Sequence, residues 1–286
     1  MNLQPLPELL LRPYVKDALT EDLRSGDITS AIVPSGTSGV ALMNFRENGV
    51  VAGMELARLA FQTLDPECDI KVLCGDGTHV EKGTTVLRIE GQGAAILTAE
   101  RVALNFAQRL SGVATLTQQF VQAIAGTHAR IADTRKTTPG LRLLEKYAVR
   151  CGGGSNHRFA LDDMVLIKDN HIALCGGIAP AVERARQNIG HSVKIEVECD
   201  TLQQVDEAIA AEADIILLDN MTPQEMQSAV QKIRDSGQKI LAEASGGINL
   251  QTVRAAAESG VDIISVGALT HSARALDIGL DIEIHV

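Results

Sequence analysis

The sequence predicts an α/β protein in which a mixed N-terminal region precedes a parallel sheet covered by helices. Two observations carry this. From about residue 128 strand-like runs alternate with helical patterns, and the last four runs start at positions 193, 215, 239 and 262, the rhythm of βαβ units. The runs are also apolar almost throughout, as Ile215-Ile216-Leu217-Leu218 shows, so both faces of the sheet are expected to be buried. A closed or nearly closed barrel and an open doubly wound sheet both fit.

The elements follow in order. Leu9–Asp22 has helical periodicity, Gly26-Asp27 and Pro34-Ser35-Gly36 mark turns, and Val40–Phe45 reads as a strand. Met54–Leu64 reads as a helix. Short strands at Ile70–Leu73, His79–Gly83 and Thr85–Glu90, split by glycine turns, suggest a small antiparallel or sandwich-like unit. Val102, Ala103, Phe106, Ala107 and Leu110 give Thr98–Leu110 one apolar helical face. Strands are then expected at Ala129–Asp133, Met164–Ile167, Val193–Val197, Ile215–Leu218, Lys239–Ala242 and Asp262–Val266, with helices at Leu202–Ala211, Pro223–Asp235 and Leu250–Ser259.

Bulk properties exclude several classes of function. The 286 residues suffice for one or two domains with a full core. Lys plus Arg is 26 against 36 for Asp plus Glu, a net charge of −10, which opposes general nucleic-acid binding. Aromatics are 2%, too few for base-stacking platforms. No apolar run is long enough for a membrane span, and no secretory pattern opens the chain, so a cytoplasmic protein is expected. Cys68, Cys74, Cys151, Cys175 and Cys199 form no CxxC and are assigned to a reduced protein, the last three to packing. His128, His191 and His285 are expected at the surface, Asp69 and Asp76 in solvent, and Met164, Met221 and Met226 in or near the core.

The chemistry gathers where strands end. Arg135 and Lys136 follow the first parallel run and Lys168 the second; Glu198, Asp219-Asn220, Glu243-Ala244-Ser245-Gly246-Gly247 and Gly267 end the others. In barrels the C-terminal rim holds the active site. Cations clustered with His157 and Arg158 suggest a substrate with several negative groups, and Arg suits carboxylates and phosphates. Ser245-Gly246-Gly247 resembles a phosphate cradle feeding a helix N-terminus. Cys151-Gly152-Gly153-Gly154-Ser155 lacks the Lys-Ser/Thr ending of a P-loop, and reads as a flexible loop carrying two cations into the site.

These residues resemble a known family. Thr134-Arg135-Lys136-Thr137-Thr138-Pro139-Gly140, Gly152–Arg158 and Leu166–His171 are similar to the quinolinate phosphoribosyltransferase family, and so are Glu100–Asn105, Leu110–Thr115, Glu196–Glu198, Leu218–Met221, Ala244–Ile248 and Ser265–His271. The resemblance implies an N-terminal α/β sandwich domain (1–112, joined by 270–286) and an incomplete α/β barrel of fewer than eight strands (113–269). Asp281–Val286, which alternates polar and apolar residues, would be a strand with one buried face.

The implied reaction is phosphoribosyl transfer from phosphoribosyl pyrophosphate to quinolinate with decarboxylation, in NAD biosynthesis. The resemblance implies a dimer or higher oligomer in which Arg101 enters the partner's site. It implies that Arg135, His157, Arg158 and Lys168 hold the quinolinate carboxylates, with Thr134 beside them, His157 being biased toward its cationic form. Lys136 would bind pyrophosphate, with Lys168 nearby. Glu198 and Asp219 would engage the ribose and Mg²⁺, and Lys136, Lys168, Glu198 and Asp219 would be the catalytic group. Ser245, Gly246, Gly247 and Gly267 would take the 5′-phosphate near His271, and Val266 and Ala268 would also bind substrate. No organic cofactor, nucleic acid or membrane is implied. The competing readings are a Schiff-base aldolase using Lys168, a relative acting on a monocarboxylate, and a non-catalytic dimeric binding protein.

Overall fold

A computed structural model describes residues 3–283. The chain forms two compact units. The first runs to Gln118 and takes in Leu143–Gly153 and the chain from Ala273 on; the second comprises Gln119–Arg142 and Gly154–Ser272. The segment 143–153 thus groups with the N-terminal unit rather than with the barrel.

The first unit begins with helix α1 (Glu8–Leu23). Strands β1 (Ser38–Phe45) and β2 (Gly49–Val50) lead to helix α2 (Met54–Leu64). Then come β3 (Asp69–Val72), β4 (His79–Val80), β5 (Thr85–Gln92) and the long helix α3 (Gly93–Ala123). The sequence sees only the middle of α3. Helix α4 (Arg142–Cys151) and the closing strand β12 (Ile278–Glu283) complete the unit. Its main sheet is antiparallel, in the order β12-β1-β5-β3, and β2 pairs with β4.

Strand β12 lies at the edge of that sheet, and Asp281, Ile282 and Glu283 are all exposed. The expected buried face is therefore absent there, as an edge strand meets solvent beyond its last packed residue. The rest of that expected strand, 284–286, and with it His285, lies outside the described residues.

Helix α4 carries charge into the interior. Glu145 is fully buried and accepts hydrogen bonds from Arg109 Nε at 3.2 Å and Nη2 at 2.7 Å. Arg109 Nη1 donates to the Ala273 carbonyl at 2.6 Å. Asp76 is not solvated as expected. It accepts the Met54 N–H at the start of α2 (3.0 Å) and the Tyr147 hydroxyl (2.9 Å), and burial raises its pKa.

The second unit is a six-stranded parallel sheet: β6 (Arg130–Ala132), β7 (Val165–Ile167), β8 (Ile195–Cys199), β9 (Ile215–Asp219), β10 (Leu241–Ser245) and β11 (Ile263–Ser265). Their order is β6-β11-β10-β9-β8-β7, every pairing parallel. This is the incomplete barrel. Helices α5 (Asp169–Cys175), α6 (Ile178–Asn188), α7 (Leu202–Ala210), α8 (Pro223–Asp235), α9 (Val253–Glu258) and α10 (Ala268–His271) connect the strands. Capping boxes at Thr201/Gln204 and Thr222/Glu225 start α7 and α8 within three residues of a strand, which keeps those rim loops short.

Among the described residues no helix is long and apolar enough to cross a membrane. All five cysteines are free, with Cys151 and Cys199 buried. His128 and His191 are exposed, whereas Met221 and Met226 are buried.

Candidate active site

The strand ends of the second unit open onto a cavity of about 450 Å³, a size that suits a small-molecule ligand. Thr134, Arg135, Lys136, His157, Arg158 and Lys168 line one part of it. Glu198, Asp219, Ser245, Gly246 and Gly247 line the other. Sequence-based expectation therefore converges on one place for these eleven residues. Gly267 and His271 stand beside Lys136: a Cβ on Gly267 would lie 3.1 Å from His271 Nε2 and 3.2 Å from Lys136 Cδ. Thr270 Oγ1 donates to the Lys136 carbonyl at 2.6 Å, which fixes that turn. Val266 is buried, and its N–H donates to the Ala132 carbonyl at 2.9 Å. Arg101 is exposed on α3 in the first unit.

The segment carrying Asn156, His157 and Arg158 is tied down rather than flexible. Ser155 bridges to Ala132, and its N–H donates to the Ile131 carbonyl at 2.8 Å. Asp133, fully buried at the end of β6, accepts Asn156 Nδ2 at 2.6 Å and the His157 N–H at 2.9 Å. Below them sit two carboxylates from alternate strands, Glu196 of β8 and Glu243 of β10, 0% and 1% exposed. His157 Nε2 lies 3.1 Å from Glu196 and 3.4 Å from Glu243. Glu243 is pushed up to about 7, first by burial and then by Glu196, with His157 opposing.

Cations crowd above this floor. Burial and the nearby Arg135 guanidinium lower the pKa of Arg158, since neither cation is fully solvated and each repels the other. Arg158 Nη1 donates to the Met164 carbonyl at 2.9 Å. Arg135 Nε is buried with no hydrogen-bond partner, a group that an anion would satisfy. Lys168 Nζ donates to Glu198. Asp219 accepts Asn220 Nδ2 at 2.6 Å.

The glycine cradle has a specific shape. Gly246 has φ +84°, and a Cβ there would lie 2.3 Å from Asn220 Oδ1, so both conformation and space call for glycine. The helix expected to follow directly is short and distant: α9 begins at Val253, after a turn in which Asn249 Oδ1 accepts the Gln251 and Thr252 N–H groups at 2.9 and 3.2 Å. The cradle thus relies on its own backbone and on Asn220, rather than on a helix dipole.

Among the described residues one trio of potential metal ligands comes together, His157, Glu196 and Glu243. Its hydrogen bonding argues against a metal. The Arg158 N–H donates to His157 Nδ1 at 2.8 Å, so the proton sits on Nε2, the nitrogen that would have to ligate. A metal-bound histidine normally donates from its second nitrogen.

The family description "Quinolinate phosphoribosyl transferase, C-terminal domain" matches residues 113–281, and its N-terminal counterpart matches 27–111. The chain belongs to the quinolinate phosphoribosyltransferase family. It is 45% identical over 276 residues to a probable nicotinate-nucleotide pyrophosphorylase [carboxylating] of Synechocystis, covering 96% of this chain and 94% of that one. It is 46% identical over 275 residues to the nicotinate-nucleotide pyrophosphorylase [carboxylating] of Mycobacterium leprae, covering 95% and 96%. The solved nicotinate-nucleotide pyrophosphorylase of Francisella tularensis superposes with TM-score 0.92 at 38% identity, covering 99% of both chains. In this quinolinate phosphoribosyltransferase family member, the cavity lies wholly within the stretch matched by the C-terminal domain.

Sequence reasoning singled out the rim and missed part of its support. Asp133 and Glu196 are not among the strand-end groups that the sequence points to, and Asn220 and Glu243, though they end expected strands at the rim, carry no expected role. Glu196 and Glu243 had a readable signal: each stands two residues before an expected site residue, Glu198 and Ser245, and so shares its face of the strand.

Proposed function

We infer that this chain transfers the phosphoribosyl group of phosphoribosyl pyrophosphate to quinolinate and releases pyrophosphate, carbon dioxide and nicotinate mononucleotide, a step of NAD biosynthesis. The relatives' term "carboxylating" names the same reaction read backwards. The observation that carries this reading is the Arg135–Arg158 pair: two guanidiniums lining one cavity, Arg135 near enough to lower the pKa of Arg158 and itself holding a buried unpartnered nitrogen. Such a pair suits a dianion, and a pyridine bearing adjacent carboxylates is one.

Arg135, Arg158 and Lys168 orient the carboxylates so that the ring nitrogen faces the sugar. The nitrogen lone pair forms the bond to C1′ as the C1′–O bond to pyrophosphate breaks. Positive charge builds on the sugar in that transition state, and Glu198 and Asp219 stabilise it electrostatically. Lys136 takes the leaving pyrophosphate, and Ser245, Gly246, Gly247 and Gly267 hold the 5′-phosphate. The 2-carboxylate then leaves as carbon dioxide; its electron pair stays on C2 beside the cationic nitrogen, and a proton takes its place. Positioning and electrostatics supply the catalysis.

Mg²⁺ arrives as part of the substrate. Two rim carboxylates without a third ligand suit an ion that takes one or two protein carboxylates and completes its shell with water and phosphate oxygens, and when bound it neutralises the departing pyrophosphate. The same reading assigns a homodimer in which the partner subunit's Arg101 completes the dicarboxylate clamp.

The aldolase reading is disfavoured because Lys168 Nζ is engaged by Glu198, whereas a Schiff-base lysine works as a neutral amine. The test is turnover with phosphoribosyl pyrophosphate and Mg²⁺, comparing quinolinate with nicotinate and following mononucleotide and carbon dioxide. Activity with quinolinate and none with nicotinate is expected. Activity with nicotinate alone would mean that the cations serve phosphates, and silence with both would overturn the assignment.

A further inference from the structure

The trio below the cavity poses a charge problem. Glu196 and Glu243 are buried almost completely, and His157 lies between them and Arg158. A histidine beside two carboxylates is ordinarily expected to be an imidazolium. An imidazolium carries a hydrogen on both nitrogens and cannot accept a hydrogen bond. Here Nδ1 accepts, from the Arg158 N–H at 2.8 Å.

We propose that His157 is a neutral imidazole that positions Arg158 and does not bind substrate as a cation, with Glu196 and Glu243 acting on the dicarboxylate site through it. The chain of contacts is continuous. The two carboxylates face Nε2, the protonated nitrogen; Nδ1 fixes the backbone N–H of Arg158; and the Met164 carbonyl fixes the guanidinium. Asp133 holds the same segment from the other side through the His157 N–H.

The groups facing the imidazole are Glu196 from β8, Glu243 from β10 and Asp133 at the end of β6, with Arg158 and Arg135 above. Ser265 of β11 hydrogen-bonds Glu243. An Nδ1 that accepts the Arg158 N–H carries no proton of its own, whatever the charge on the carboxylates below. With Nδ1 committed to the Arg158 N–H, the cavity receives its positive charge from the guanidiniums and lysines alone.

The inference rests on the reading that this cavity takes quinolinate, so the experiment has an arm independent of it. Protein labelled with ring-¹⁵N histidine is examined between about pH 6 and 8, where an ordinary histidine changes charge, and the His157 signals are assigned by their loss in His157→Gln. A protonated Nε2 with an unprotonated Nδ1 throughout is expected. Protonation of both nitrogens at about pH 7 overturns the proposal whatever the enzyme's substrate.

The kinetic arm compares Glu243→Gln with Glu243→Leu. Glutamine keeps an oxygen facing Nε2, and leucine does not. A rise in quinolinate KM of about threefold for Gln and about thirtyfold for Leu, with kcat nearly constant in both, marks a positioning role. Equal losses in the two variants would mean that the charge on Glu243 matters by making His157 cationic, and no loss in Leu would mean that the trio does not position Arg158; both overturn it. Should the Leu variant not fold, the nitrogen measurement decides. Failure of wild-type turnover with quinolinate would sink the substrate reading and leave the tautomer result standing.

Discussion

The two units treat buried charge in opposite ways. In the first, the buried ionisable groups are matched: Glu145 receives two N–H groups of Arg109, and Asp76 receives the Tyr147 hydroxyl and the Met54 N–H. In the second, like charges face each other, Arg135 against Arg158 and Glu196 against Glu243, and Arg135 Nε is buried without a partner. Matched charge fixes a fold. Unmatched charge costs stability unless a ligand relieves it, and so marks where the molecule works.

The largest effect expected from this contrast is on activity. Arg135→Ala removes half of the guanidinium pair, and kcat/KM for quinolinate should fall about 10²- to 10³-fold. The melting temperature should move by no more than about 2 °C, because the lost group repels Arg158 and has an unmet donor. Steady-state kinetics and thermal melts on one preparation check both halves. A large drop in melting temperature would break the comparison.

Arg109→Ala should do the reverse. It removes the two hydrogen bonds that buried Glu145 accepts from the guanidinium, and losing one partner of a buried charged pair costs about 3–5 kcal/mol. The urea midpoint should fall accordingly, while the folded fraction keeps its quinolinate KM. A KM that rose with the loss of stability would join the two roles that the comparison separates.

Gly246→Ala is smaller and local. The backbone at φ +84° and the 2.3 Å approach of a Cβ to Asn220 Oδ1 cost about 1–2 kcal/mol. Asn220 must move, and the KM for phosphoribosyl pyrophosphate should rise about tenfold with quinolinate KM nearly constant. Equal rises for both substrates would place the cradle elsewhere.

The contrast also explains what was legible in the sequence. The parallel strands stand out because their outward positions are continuous hydrocarbon, but β8 and β10 lie two residues further along than expected, at Ile195–Cys199 and Leu241–Ser245. Glu198, Glu243 and Ser245 look like strand ends, yet they belong to the strands and line the cavity. A polar residue at an inward position reads as the return to solvent. Helix α4 escaped for a related reason: Glu145 and Lys146 are buried in it, so its buried face carries charges that pattern reading assigns to water. The rim was legible because arginine, lysine and glycine at successive strand ends form a chemical pattern. Its supports, Asp133 and Asn220, act through hydrogen bonds whose partners are distant or depend on backbone conformation, and composition does not show these.

The smallest effect concerns pH, and it sharpens the comparison most directly. Glu243 is raised from 4.5 to about 7 by burial and by Glu196. Between those values the folded protein keeps a proton that the unfolded chain has released. Folded protein then binds more protons than unfolded, so stability falls as pH rises across this window and levels off above about 7. Glu243→Gln removes the ionisation. Its melting temperature relative to wild type should therefore climb by a few degrees between about pH 5 and 8, because the wild type weakens while the variant lacks that loss. Melts of both proteins at the two pH values measure it. A constant difference would mean that Glu243 is already ionised in the folded protein at low pH, and the second unit would then hold its carboxylates as well matched as the first.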